Sequence, residues 1–117
     1  MLFRSLSTAS LIESLGPREL HGCHWPAARG PEVAAFIAET RDYVERIDGL
    51  VRSCLAEPMT LEGLIGCVNR RLDHSWSEDV APELVYSLHG HVDRLVALGD
   101  ATRVEGPDGR LVYRMAE

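Results

Sequence analysis

The residues with the richest potential chemistry are His89, Gly90, His91, Val92, Asp93 and Arg94, a run in which two imidazoles and a carboxylate alternate with other side chains. Imidazole nitrogens and carboxylate oxygens are the usual ligands of catalytic zinc, which lowers the pKa of a bound water and turns it into a nucleophile. Such ligands must converge on one point. Positions two apart on a helix are turned by about 200°, so a helical run would send His89 and His91 to opposite sides. The apolar stripe Leu84, Leu88, Val92 and Leu95 passes straight through the string at helical spacing. The expectation is therefore a helix with partly exposed histidines and no metal.

A second cluster, His21, Gly22, Cys23, His24, Trp25 and Pro26, crowds ligand types at the end of a segment that reads as extended. Neighbours on extended backbone face opposite ways, so Cys23 and His24 do not chelate together. His21 and Cys23 share a face, with no acid close enough in sequence to assign to them. Packing of Trp25 and the Cys23 thiol is the simpler expectation. The sequence contains no Gly-x-Ser-x-Gly elbow, Walker loop, Gly-x-Gly-x-x-Gly fingerprint or zinc-protease helix, and no catalytic residue is assigned.

The elements that must position these residues are legible along the chain. Leu6, Leu11, Ile12 and Leu15 recur at helical spacing, and Glu13 among them suits a folded amphipathic helix better than the organellar transit peptide suggested by Arg4 and the serines. Gly16-Pro17 ends that pattern, residues 18–24 read as extended, and 25–31 as a turn. Val33, Phe36, Ile37, Val44, Ile47, Leu50, Val51 and Leu55 then predict a long helix from 32 to about 56, with Pro31 at its first turn and Pro58 beyond its end. Thr60 caps a short helix over 61–72. A polar linker over 73–79 carries Trp76 and leads to the helix of the Leu84 stripe, closed by Gly99. Val104, then Asp108-Gly109, then Leu111 and Tyr113 spell a β-hairpin. Helix, short helix, longer helix and hairpin over 43–115 is the order of a winged helix-turn-helix. The fold class expected is mainly α with a β-hairpin, divided into a helix-strand-loop segment, 1–31, and a long helix plus winged-helix domain, 32–117.

A chain of 117 residues with 45% hydrophobic content suffices for one small domain. Its twelve basic residues, all arginine, face eighteen acids for a net charge of −6, which argues against an electrostatic grip on nucleic acid or anionic membrane. Cys23, Cys54 and Cys67 are odd in number and widely spaced, so neither a disulfide framework nor a zinc ribbon is signalled and a cytoplasmic, reducing home is expected. No apolar run approaches the roughly 20 residues that cross a bilayer, and a soluble protein is expected.

The run His24-Trp25-Pro26, continued by Arg29-Gly30-Pro31-Glu32-Val33-Ala34-Ala35-Phe36-Ile37-Ala38-Glu39-Thr40-Arg41, resembles the closing segment of metallo-β-lactamase-fold hydrolases, where a late metal-ligand histidine sits on such a turn and a helix follows. Residues 58–115, with Met59-Thr60-Leu61-Glu62-Gly63-Leu64-Ile65 opening one helix and 88–99 forming the next, resemble the winged-helix domain appended to many of these enzymes. Helix 5–15 and strand 17–21 are similar to the elements just upstream of that ligand. The resemblance covers nearly the whole chain but only the C-terminal part of the family. Its main His-x-His-x-Asp-His loop has no counterpart: His89-x-His91-x-Asp93 lacks the last histidine and lies on a helical stripe rather than on a loop after a buried strand. Of the family's metal positions only His24 is matched, and one ligand cannot hold a catalytic metal. The resemblance thus implies no cofactor for this chain in isolation, and zinc only where another chain completes the site.

Three functions are consistent with these features. The first is a non-catalytic interaction module. Leu2, Phe3, Leu6, Leu11, Leu15 and Trp25 have little sheet to lie on, and an uncovered apolar patch points to a protein partner or a second copy. The alternative is a winged-helix DNA-binding regulator that grips through Arg103, Arg110 and Arg114 on the wing. Charge speaks against it, because from Pro58 onward six arginines face ten acids and Glu78, Asp79 and Glu83 stand where phosphates would be met. The third is a metal-dependent hydrolase completed by another chain, to which this one would contribute His24.

Overall fold

The computed structural model describes residues 2–22, 26–73 and 75–117, with side chains from Leu6 onward. The elements are α1 (Leu2–Leu15), β1 (Glu19–Leu20), β2 (Ala28–Arg29), α2 (Pro31–Cys54), β3 (Met59–Thr60), α3 (Leu61–Arg71), a 3₁₀ turn (Ala81–Leu84), α4 (Val85–Ala97), β4 (Ala101–Glu105) and β5 (Leu111–Met115). The fold is mainly helical with small antiparallel sheets, in keeping with the expected class. Two compact units divide it, Leu2–Arg46 and Ile47–Glu117, with the boundary inside α2.

In the first unit β1 and β2 form a two-residue antiparallel ladder, Glu19 opposite Arg29 and Leu20 opposite Ala28. Its core is Ala9, Val33 and Ile37, joined by the partly buried Ile12, Leu20 and Ala28. The packed stripe of α1 thus runs through Ala9 and Ile12, and it leaves Leu11 and Leu15 outside, 59% and 72% exposed. The helical spacing of the leucines hid this, because a small alanine rather than a leucine takes the buried position beside Val33 and Ile37. Phe36, counted with the apolar face of α2, is 41% exposed. Arg41 of α2 donates to Glu13 at 2.8 Å and to Ser10 at 3.2 Å, both on α1.

In the second unit Val51, Leu55, Leu64, Val68, Leu84, Leu88, Val92 and Leu95 are each 2% exposed or less. Val51, Leu55, Leu84, Leu88, Val92 and Leu95 belong to the stripes expected of two of the helices, and Leu64 and Val68 join them as α3 packs on the 3₁₀ turn and on α4. Thr60 sits at the N-cap of α3 in extended conformation, and its hydroxyl accepts from the Gly63 amide at 3.2 Å. Replacing Thr60 by Ala orphans that amide and is expected to lower unfolding stability by about 1 kcal/mol in a urea titration. α4 ends in paired bonds, Asp100 N–H to Leu95 C=O at 2.9 Å and Gly99 N–H to Val96 C=O at 3.0 Å, with Gly99 at φ 81°. That left-handed residue strains any side chain with a Cβ, which is why glycine stops this helix.

The hairpin forms where its turn residues place it. β4 and β5 pair from Ala101 opposite Met115 to Glu105 opposite Leu111, and Gly109 turns the tip at φ 82°. The sequence did not disclose β3, which adds two pairs to β5, Met59 opposite Tyr113 and Thr60 opposite Val112, in the strand order β3-β5-β4. Two residues carry no periodicity, so only the partner strand defines them. Cys54 and Cys67 also depart from expectation: they form a disulfide between the end of α2 and α3, with Cα atoms 6.2 Å apart. Both lie on buried apolar stripes, and the packing of those stripes, rather than any cysteine motif, brings the sulfurs together.

Candidate functional site

His89 and His91 diverge. The His89 side chain is 58% exposed and its Nδ1 lies 3.7 Å from Asp93, one turn along α4. His91 is 1% exposed, which corrects the expectation of partial exposure. Its Nε2 donates to Asp48 Oδ1 at 2.7 Å, across to α2. The other Asp48 oxygen accepts from Arg52 Nε at 2.8 Å, and Arg52 Nη2 donates to Asp100 at 3.1 Å, just past the end of α4. A chain of charge-assisted hydrogen bonds therefore joins α2, α4 and the turn before β4.

Two opposed forces set the ionisation of this cluster. Burial acts to raise the Asp48 carboxyl, but hydrogen bonds from Arg52 and His91 outweigh it and hold that group below its ordinary value. Burial lowers His91, the bond to Asp48 opposes the shift, and the positive charges of Arg94 and Arg52 reinforce it, leaving the imidazole below its ordinary range. Sequence reasoning missed the pairing, though a signal existed. Asp48 stands four residues after Val44 and three before Val51, and His91 three after Leu88, so both occupy stripe positions where a polar side chain needs a buried partner.

The second candidate cluster is only partly within view. His21 is exposed and its Nε2 meets Glu19 Oε2 at 3.1 Å, while Glu19 also pairs with Arg29 at 3.4 Å. An acid two residues away thus engages His21, contrary to the expectation that none was close enough. Cys23, His24 and Trp25 lie outside the described residues, so the proposed ligand His24 and the interface residue Trp25 are not placed; nor are the side chains of Leu2 and Phe3. Among the described residues, no group of three or more His, Cys, Asp or Glu is arranged to hold a metal ion.

The three arginines of the hairpin each face an acid. Arg103 is 3.5 Å from Asp93, Arg110 is 3.7 Å from Asp108 and 4.0 Å from Glu62, and Arg114 is 2.9 Å from Glu117. Pairs this exposed contribute little to stability, but each reduces the positive field available to a phosphate. The candidate interface residues Leu11 and Leu15 stand four apart on α1 and so share one face, both exposed, whereas Leu6 is half-buried. In the same unit Ile12, Leu20, Pro26, Ala28 and Phe36 line an apolar hollow of about 180 Å³. Among the described residues no helix is long and apolar enough to cross a membrane.

No family model and no curated protein matches the chain. Among solved structures it is similar to the crystal structure of a beta-lactamase domain protein from Burkholderia ambifaria, with a TM-score of 0.73 and 23% identity over 95% of this chain. The chain spans 32% of that protein's length. At this identity the likeness establishes a shared fold with part of a beta-lactamase domain protein and nothing beyond the fold.

Proposed function

We propose that this chain is a non-catalytic, winged-helix interaction module related to the C-terminal part of metallo-β-lactamase-fold hydrolases, and that the α1 face of its first unit binds a second copy. One observation carries the reading: Leu11 and Leu15 lie side by side on α1, 59% and 72% exposed, while the smaller Ala9 takes the buried position. Burying each leucine would contribute roughly 1.5–3 kcal/mol, and such a pair is costly to leave in water without a role. The related fold in a protein of which the match covers 32% supports a module that packs against further protein. Winged-helix geometry finds support in the order α3, 3₁₀ turn, α4 and hairpin, with β3 closing the small sheet.

Nucleic acid is the weaker reading, because Arg103, Arg110 and Arg114 are occupied by acids and the net charge is −6. The cytoplasmic home inferred from unpaired thiols loses its ground with the Cys54–Cys67 bond, and the module is proposed without a compartment. Light scattering on a size-exclusion column tests the function. The protein is expected to elute as a dimer or larger at high concentration, and the doubly substituted Leu11→Ser, Leu15→Ser protein as a folded monomer, since both sites are exposed and substitution there costs the fold little. A wild-type monomer at every concentration overturns self-association. Stoichiometric zinc in the purified protein, lost in His24→Ala, would instead favour a shared metal site.

A further inference from the structure

We propose that His91 is an acid-sensitive latch: its neutral imidazole holds α4 to α2 in the Ile47–Glu117 unit, and protonation releases the hold. The argument begins with geometry. Asp48 is an ionised carboxylate and can only accept, so at 2.7 Å the His91 Nε2 must carry the hydrogen. In the neutral ring Nδ1 is then a bare lone pair, and it is buried with no hydrogen-bond partner among the described residues. Adding a proton would place an N–H in that same position with no acceptor to receive it.

The charged groups acting on the ring are Asp48 and Arg52 from α2 and Arg94 from α4 itself, with Asp100 reached through Arg52. Only Asp48 favours a second proton, and its attraction is shared with Arg52. Burial and the two arginines oppose it, so the folded unit resists a charge that the unfolded chain accepts near pH 6.5. The sign follows from linkage. A histidine depressed by folding gives its full stabilisation above the unfolded value of 6.5 and loses it as the pH falls below that value, down to its folded value. Asp48 acts in a lower window: its stabilisation is present above its unfolded value of 3.8 and is lost as the pH falls through the folded one. The His91 window opens below pH 6.5 and that of Asp48 below pH 3.8.

Denaturant titrations of the whole protein between neutral pH and about pH 5 test the latch, comparing wild type with His91→Gln, whose amide can donate to Asp48 but takes no proton in that range. The wild-type unfolding constant is expected to climb as the pH falls below 6.5, and that of the variant to climb less over the same range. Nitrogen NMR of the wild-type imidazole supplies a second readout should the variant not fold. It is expected to show hydrogen on Nε2 alone in the folded protein at pH 6.5 and above. Equal slopes in the two proteins, or an imidazole that takes its second proton above pH 6.5 with the fold intact, would overturn the proposal.

Discussion

Reduction of the Cys54–Cys67 bond is expected to lower the stability of the Ile47–Glu117 unit by about 3 kcal/mol and its melting temperature by more than about 10 °C. The bond closes a loop of 13 residues' separation, and opening it restores to the unfolded chain the entropy that closure removed. The folded state has little to offset the loss, because Cys54 and Cys67 are only 2% and 8% exposed and the freed thiols gain almost no water. Guanidinium titrations with and without a reductant measure the difference directly. Cys67→Ala should reproduce the reduced value within about 1 kcal/mol and should no longer respond to reductant, since a buried cysteine behaves as a small apolar residue. An oxidised protein whose intact mass shows every thiol free would sink the prediction. The result also bears on compartment, because a bond of this kind persists where the surroundings are oxidising, and the count of three cysteines does not disclose which pair is joined.

What the sequence disclosed and what it hid separate along one physical line. Features set by neighbours within a turn or two were readable: Thr60 before α3, Gly99 after α4, Asp108-Gly109 at the hairpin tip, and the stripe from Leu84 to Leu95. Features set by a partner far along the chain were not. Asp48 and His91 are 43 residues apart, β3 is a strand only because β5 lies beside it, and the cysteines meet because two helices do. The α1 leucines show the same limit in a subtler form. Periodicity says that one face of a helix is buried, but the partner's shape decides whether Ala9 or Leu11 fills the contact. The resemblance to metallo-β-lactamase-fold hydrolases is met by a shared fold with part of a beta-lactamase domain protein, yet the one ligand position it implied, His24, lies outside the described residues.

Leu88→Ala is expected to be the most damaging single truncation in the second unit, at about 3–4 kcal/mol in a urea titration monitored by circular dichroism. The side chain is fully buried on α4, one turn after Leu84 and one before Val92, within a unit where α3, the 3₁₀ turn and β4 all pack against that helix. Removing three carbons leaves a void that rigid neighbours on three sides cannot collapse to fill, so the cavity cost adds to the transfer cost. Leu88→Met, which conserves volume, should cost less than about 1.5 kcal/mol. The pair of variants also decides the nature of the adjoining histidine string. If residues 89–93 formed a ligand loop, Leu88 would border irregular backbone and its truncation would cost little, with the variant's main defect appearing in metal content. If they are a packed helix, the loss is in stability, and His89→Ala, on the exposed side, changes it by no more than about 0.5 kcal/mol. A Leu88→Ala cost under about 1 kcal/mol would mean that α4 does not present this face to the core, and the divergence of the two imidazoles would lose its foundation.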